Sequence, residues 1–153
     1  MFAIANTYKT SAEVVKAAND VFSSLASKQG IKRPNGKDPL KFDEVILSRV
    51  LLYAVHIEIL LKALYLYDND TTTNGHEWDT LFNKLSETRK DEIRKAMPTQ
   101  FQADFDTLLT NNRKTFIEWR YCYEQANLQC DFTFIVELGN ALSGIVLKLA
   151  NQP

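Results

Sequence analysis

Apolar positions recur at helical spacing along almost the whole chain. Val14, Val15, Ala18, Val21, Phe22, Leu25 and Ala26 fall three and four apart, the period of an amphipathic helix. Thr10-Ser11-Ala12-Glu13 just before them fits a capping box, with Thr10 as cap and Glu13 reaching back. The run stops near Gly30. Residues 31–39 hold Pro34, Gly36 and Pro39 and read as a loop that leaves Lys32 and Arg33 in solvent. A longer helix is expected from about Leu40 to Tyr67. Glu44, Glu58 and Lys62 form its only narrow polar stripe, with Glu58 and Lys62 spaced for a favourable ion pair. Nearly everything else on it is apolar, so it is expected to be central and covered on most sides. Arg49 and His56 sit opposite that stripe, among Tyr53, Leu60 and Ala63, where buried polar groups need partners.

Asp68–Gly75 reads as a polar loop, and His76–Leu85 as a short helix with Trp78, Leu81, Phe82 and Leu85 facing inward. A further turn or two covers Glu87–Ala96, and Pro98 marks a break and a new start. From Thr99 to about Ala126 one helix is expected, with Phe105, Leu108, Leu109, Phe116, Trp119 and Tyr123 as its apolar stripe. Asn112 lies within that stripe, and Arg113 and Arg120 share one flank, with Glu124 four residues after Arg120. The last helix, Phe132–Ala150, carries Ile135, Leu138, Ala141, Leu142, Ile145, Val146 and Leu149. Its Gly139 and Gly144 allow a close helix approach. The pattern predicts one all-α domain over residues 1–153, a bundle of four long helices with one or two short ones.

Composition narrows this further. Five Gly and four Pro in 153 residues is too little turn punctuation for a sandwich or barrel of many short strands. Eighteen Lys and Arg against nineteen Asp and Glu leave a net charge of −1. Bulk attraction to nucleic acid or membrane is therefore not indicated, and any phosphate recognition must come from a local cluster. Cys122 and Cys130 lack redox or zinc spacing and are expected as two reduced thiols. Met1–Asn6 is too short for a leader before Lys9 and Glu13, and Arg49, His56, Glu58 and Lys62 interrupt the apolar run Val45–Tyr67. A cytoplasmic chain with no membrane partner, metal or cofactor is the expectation. No Gly-rich phosphate loop or Ser/His/Asp arrangement is present.

Three stretches together resemble the HEPN family of higher-eukaryote and prokaryote nucleotide-binding helical bundles. They are Leu51–Leu64, ending Ile-Glu-Ile-Leu-Leu-Lys-Ala-Leu; Gly75-His76-Glu77-Trp78 followed by Leu81-Phe82-Asn83-Lys84-Leu85; and Phe116-Ile-Glu-Trp-Arg-Tyr-Cys-Tyr-Glu124. The resemblance spans roughly Leu40 to Ala150. It implies an up-and-down four-helix bundle that forms a homodimer. Many members are metal-independent RNases of toxin–antitoxin or phage-defence systems. Others bind nucleotides or RNA without cutting, or pair with an antitoxin or nucleotidyltransferase partner. Catalytic members carry Arg, a polar residue, a short gap and then His on a late helix, where Arg holds phosphate and His handles a proton. Here Asn112-Arg113 is followed by Glu118, Trp119 and Arg120, and no His follows.

Two constellations remain. Arg49 and His56 have the family's spacing but stand on the central helix, either as a rearranged catalytic pair or as polar ties inside the bundle. Asn112, Arg113, Trp119, Arg120, Tyr123 and Glu124 are the candidate ligand set, two arginines for phosphate beside aromatic rings for a base. The competing reading makes Arg120–Glu124 a surface pair and the aromatics core. His76 is expected to pack its loop against the central helix. The sequence favours a non-catalytic nucleotide-, RNA- or partner-binding module. A metal-independent endoribonuclease and a purely structural dimeric domain are the alternatives.

Overall fold

A computed structural model describes the backbone of residues 42–120 and 129–151, with side chains for 49–119 and 129–151. The expected helix over Thr10–Ala26, its following loop, Cys122, Tyr123 and Glu124 lie outside the described residues, as do the side chains of Glu44 and Arg120. Among the described residues every regular element is helical: α1 (Phe42–Asn69), α2 (Trp78–Asn83), α3 (Glu87–Ala96), α4 (Thr99–Gln102), α5 (Phe105–Asn111), α6 (Thr115–Arg120) and α7 (Phe132–Ala150). The all-α reading holds.

The long helices α1 and α7 pack side by side and run in the same direction. Arg49 lies over the Phe132 ring at 5.1 Å, Tyr53 meets the same ring edge-on, and His56 reaches Ser143 further along both helices. Gly139 makes this approach possible. A Cβ there would stand 3.0 Å from Tyr53 Cδ1, whereas one at Gly144 would meet open space. Only the first glycine serves the contact that the sequence suggested for both.

Between the two long helices the chain packs short pieces against a shared core. Trp78, Phe82, Phe105 and Phe134 are fully buried beside Ile57, Leu60, Leu61 and Leu64 of α1. Phe105 stacks at a tilt on Phe82 and edge-on to Phe134, joining α2, α5 and α7. Each connection has a local cause. Gly75 adopts φ +113°, a left-handed backbone that suits glycine, just before α2. Ser86 caps α3 by accepting from the Arg89 amide, and Asp131 caps α7 by accepting from the Phe134 amide. Arg89 forks onto both carboxylate oxygens of Asp68, fastening α3 to the end of α1.

Over the described part of the single helix expected across Thr99–Ala126, residues 99–120, the chain forms α4, α5 and α6 instead. Asn112 explains the second break. Its side-chain Nδ2 donates to the Leu108 carbonyl, its own carbonyl accepts both the Thr115 amide and hydroxyl, and Arg113 N–H turns back three residues to Thr110. Side chains that bond nearby backbone offer the chain an alternative to continuous helix, and here Asn112 Nδ2, Arg113 Nη1 and Thr115 Oγ1 all do so.

The polar stripe also differs from expectation. Glu58 is buried rather than solvated, its carboxylate covered by Lys62 and His76. By length and composition alone, Arg49–Asn69 and Phe132–Ala150 are apolar enough to cross a membrane; here both pack into the core, with 56% and 39% of those windows buried.

Candidate ligand-binding site

Two histidines exist in the chain, and the structure holds them in opposite ways. His56 is buried on the α1 face toward α7, with Nε2 2.8 Å from Ser143 Oγ. The Ser143 hydroxyl spends its proton on the Gly139 carbonyl at 2.7 Å. His56 Nε2–H must therefore be the donor, which leaves the lone pair on Nδ1, buried and with no partner. Burial pushes the imidazole down to about 4, so it is neutral at neutral pH. Arg49, two turns earlier, spreads its guanidinium over Phe132. His56 thus ties α1 to α7 through a hydroxyl partner, and Arg49 lies over an aromatic ring.

His76 is exposed, and the sequence assigned it only local packing. Its Nδ1 lies 2.9 Å from Glu58 Oε1, which also accepts from Lys62 Nζ at 2.7 Å. A carboxylate that also faces an ammonium accepts, so His76 Nδ1 donates to Glu58 Oε1. The Phe116 ring packs against the imidazole at 5.9 Å between centroids. One residue further, Glu77 stands 3.9 Å from Arg113 Nε and 3.8 Å from Lys114 Nζ, while the Trp78 amide donates to the Arg113 carbonyl. The His76 loop and the Arg113–Lys114 turn are thus laid side by side.

Of the residues singled out in sequence, Arg113 is part-exposed, with its guanidinium near two carboxylates. Its Nη1 donates to the Thr110 carbonyl, but its contacts with Glu77 and Asp79 at 3.9 Å are too long for hydrogen bonds. The Arg113 side chain is about 38% exposed. Asn112 is differently employed: it is buried, Nδ2 donates to Leu108 O, and Oδ1 accepts the Asp131 amide at 2.9 Å. Trp119 packs against the core with its Nε1 buried and unpartnered. The backbone of Arg120 ends α6, and its expected pairing with Glu124 lies outside the described residues.

Sequence reasoning missed Glu58 and Lys114. Glu58 reaches a partner eighteen residues away across a loop, and no local spacing announces such a contact. Lys114 could have been found from its place directly after Arg113. Among the described residues no group of three or more metal-ligating side chains converges. Cys130, beside Asp131 at the head of α7, has its thiol pushed up to about 11 by burial first and the neighbouring carboxylate second. It is therefore a protonated, poorly nucleophilic sulfur at neutral pH. Compared with protein-family models, curated proteins and solved structures, the chain matches none.

Proposed function

We propose that this chain is a HEPN-like module, a four-helix bundle of up-and-down type that binds a nucleotide or RNA without cutting it. The observation that carries the reading is how the two histidines are held. His56, which shares the nuclease spacing with Arg49, is neutral, buried and bonded to Ser143. General acid–base help contributes roughly 10²–10⁴-fold in rate, and a buried imidazole with no route to substrate does not supply it. Phosphate binding needs no proton transfer, and Arg113 with Lys114 provides half-exposed cationic donors for it. The parallel packing of α1 and α7 supports the bundle, because two helices separated by one other in an up-and-down bundle run in the same direction.

The resemblance extends the proposal to a cytoplasmic homodimer that serves a toxin–antitoxin or defence system beside an antitoxin or nucleotidyltransferase. Sedimentation that shows only monomer at tens of micromolar protein overturns the dimer. The test of the main reading is purified protein with chelator and a mixed single-stranded RNA. Binding weakened by Arg113→Ala, with no cleavage, is expected. Cleavage that disappears in His56→Ala establishes the nuclease reading instead.

A further inference from the structure

The loop between α1 and α2 holds a reactive pair that nucleotide binding does not use. Asn74 and Gly75 are neighbours there, and both are exposed. Among the described residues no hydrogen bond engages the Asn74 side-chain amide or the Gly75 N–H. The Asn74 main-chain carbonyl, by contrast, accepts from Lys84 Nζ at 2.8 Å, and the same ammonium donates to Thr73 Oγ1 at 2.9 Å. Gly75 takes φ +113°, and no Cβ of its own crowds the approach to its nitrogen. We infer that Asn74 is a site of spontaneous deamidation, in which the Gly75 nitrogen attacks the Asn74 side chain and Lys84 stabilises the charge that forms.

The reaction needs only water and hydroxide. Hydroxide takes the Gly75 N–H proton, and the negative charge spreads onto the Asn74 carbonyl oxygen, because nitrogen and oxygen belong to one conjugated peptide. That oxygen is the atom Lys84 already holds. A cation in place where charge develops lowers the barrier without having to reorganise. The nitrogen then bonds to Asn74 Cγ, the Cγ–Nδ2 bond breaks, and Nδ2 leaves as ammonia with a proton from water, which returns the hydroxide. Water reopens the resulting succinimide at either carbonyl. Cleavage of the new N–Cγ bond gives aspartate, and cleavage of the original peptide bond gives isoaspartate, with the chain running through Cγ. Either product puts a carboxylate two residues ahead of His76 and lowers the chain's formal charge of −1 by one unit. Isoaspartate also adds a methylene to the backbone leading into α2. The inference does not rest on the nucleotide-binding reading and fails separately from it.

The test is the full chain held at mildly alkaline pH, sampled over days and mapped by tandem mass spectrometry in isotopically labelled water. Asn74 is expected to convert to aspartate and isoaspartate with one labelled oxygen, while Asn69, Asn83 and Asn140 stay amidated. Lys84→Met is expected to slow that conversion about threefold, the scale of one exposed charged contact. Loosening the loop would speed the reaction, so a slower variant reports the lost charge. Gly75→Ala is expected to suppress conversion, because its methyl crowds the nitrogen, and circular dichroism confirms that each variant is folded. Asn74 that stays intact in the native chain while it converts in urea overturns the inference, since the fold then protects the residue. A Lys84→Met variant that converts as fast as wild type, or faster, overturns it as well.

Discussion

His56 donates from Nε2 to the Ser143 hydroxyl, which passes its own proton to the Gly139 carbonyl, so one imidazole is wired into the backbone of the facing helix. This arrangement requires the neutral ring, and burial lowers its proton affinity to about 4 from an ordinary 6.5. Below pH 6.5 the unfolded chain therefore binds a proton that the folded chain refuses. Stability from this group is fully present above pH 6.5 and is lost as pH falls toward 4, at about 1.4 kcal/mol per pH unit. Urea unfolding at pH 6.5 and pH 5 should show the wild type losing about 2 kcal/mol more than His56→Gln. Parallel losses in the two proteins would show that His56 is not the group responsible.

The two glycines of α7 provide a matched pair. Alanine stabilises a helix interior by up to about 1 kcal/mol relative to glycine. At Gly144 the added methyl meets open space, so Gly144→Ala should raise stability by about 0.5–1 kcal/mol. At Gly139 it meets the Tyr53 ring at 3.0 and 3.2 Å, and that ring is itself buried against Phe132. Gly139→Ala should cost a net ~1–2 kcal/mol, as overpacking outweighs propensity. Thermal melts of the two variants should move in opposite directions, and a common direction would refute the close approach of α1 and α7.

Much of this fold was legible because the long elements are locally determined. Phe132–Ala150 has its cap at Asp131 and an uninterrupted apolar repeat, and the expected boundaries match the observed helix. Trp78, Leu81, Phe82 and Leu85 were assigned inward from spacing alone and are buried. The break at Asn112 was not legible. Its apolar neighbours keep helical spacing across the turn, while the interruption comes from side-chain bonds and a partner, Asp131, nineteen residues away. Glu58 failed for the same reason: a charged residue on a stripe with Lys62 reads as solvated until His76 folds over it. The candidate site was half visible. Arg113 was recognisable as a cation beside aromatic positions, but its neighbours in space, Glu77 and Asp79, arrive through tertiary packing.

Cys130 should be slow to alkylate. A thiol near 11 holds about a thousandth of its population as thiolate at pH 8, against roughly a quarter for an ordinary exposed cysteine. In a Cys122→Ser background, iodoacetamide at pH 8 should label native Cys130 on the order of 100-fold slower than the urea-unfolded chain. Equal rates in the two states would mean that the head of α7 opens readily to solvent.

Asn112 tests whether the conspicuous polar residue beside Arg113 touches ligand or holds structure. Its amide joins two places at once, donating to Leu108 O on α5 and accepting the Asp131 amide at the cap of α7. Truncation leaves that amide without its acceptor in a partly buried setting, a loss of about 1–3 kcal/mol. Asn112→Ala should lower stability by that amount and accelerate exchange of the Asp131 amide proton. Asn112→Asp keeps an acceptor for that amide but cannot donate to Leu108, and it brings a second carboxylate toward Asp131. It should therefore also destabilise, with the Asp131 amide better protected than in the alanine variant. Corrected for folded fraction, RNA affinity in either variant should stay within about threefold of wild type, well short of the effect expected from Arg113→Ala. An affinity loss as large as that of Arg113→Ala, with stability unchanged, would move Asn112 from the scaffold into the binding site.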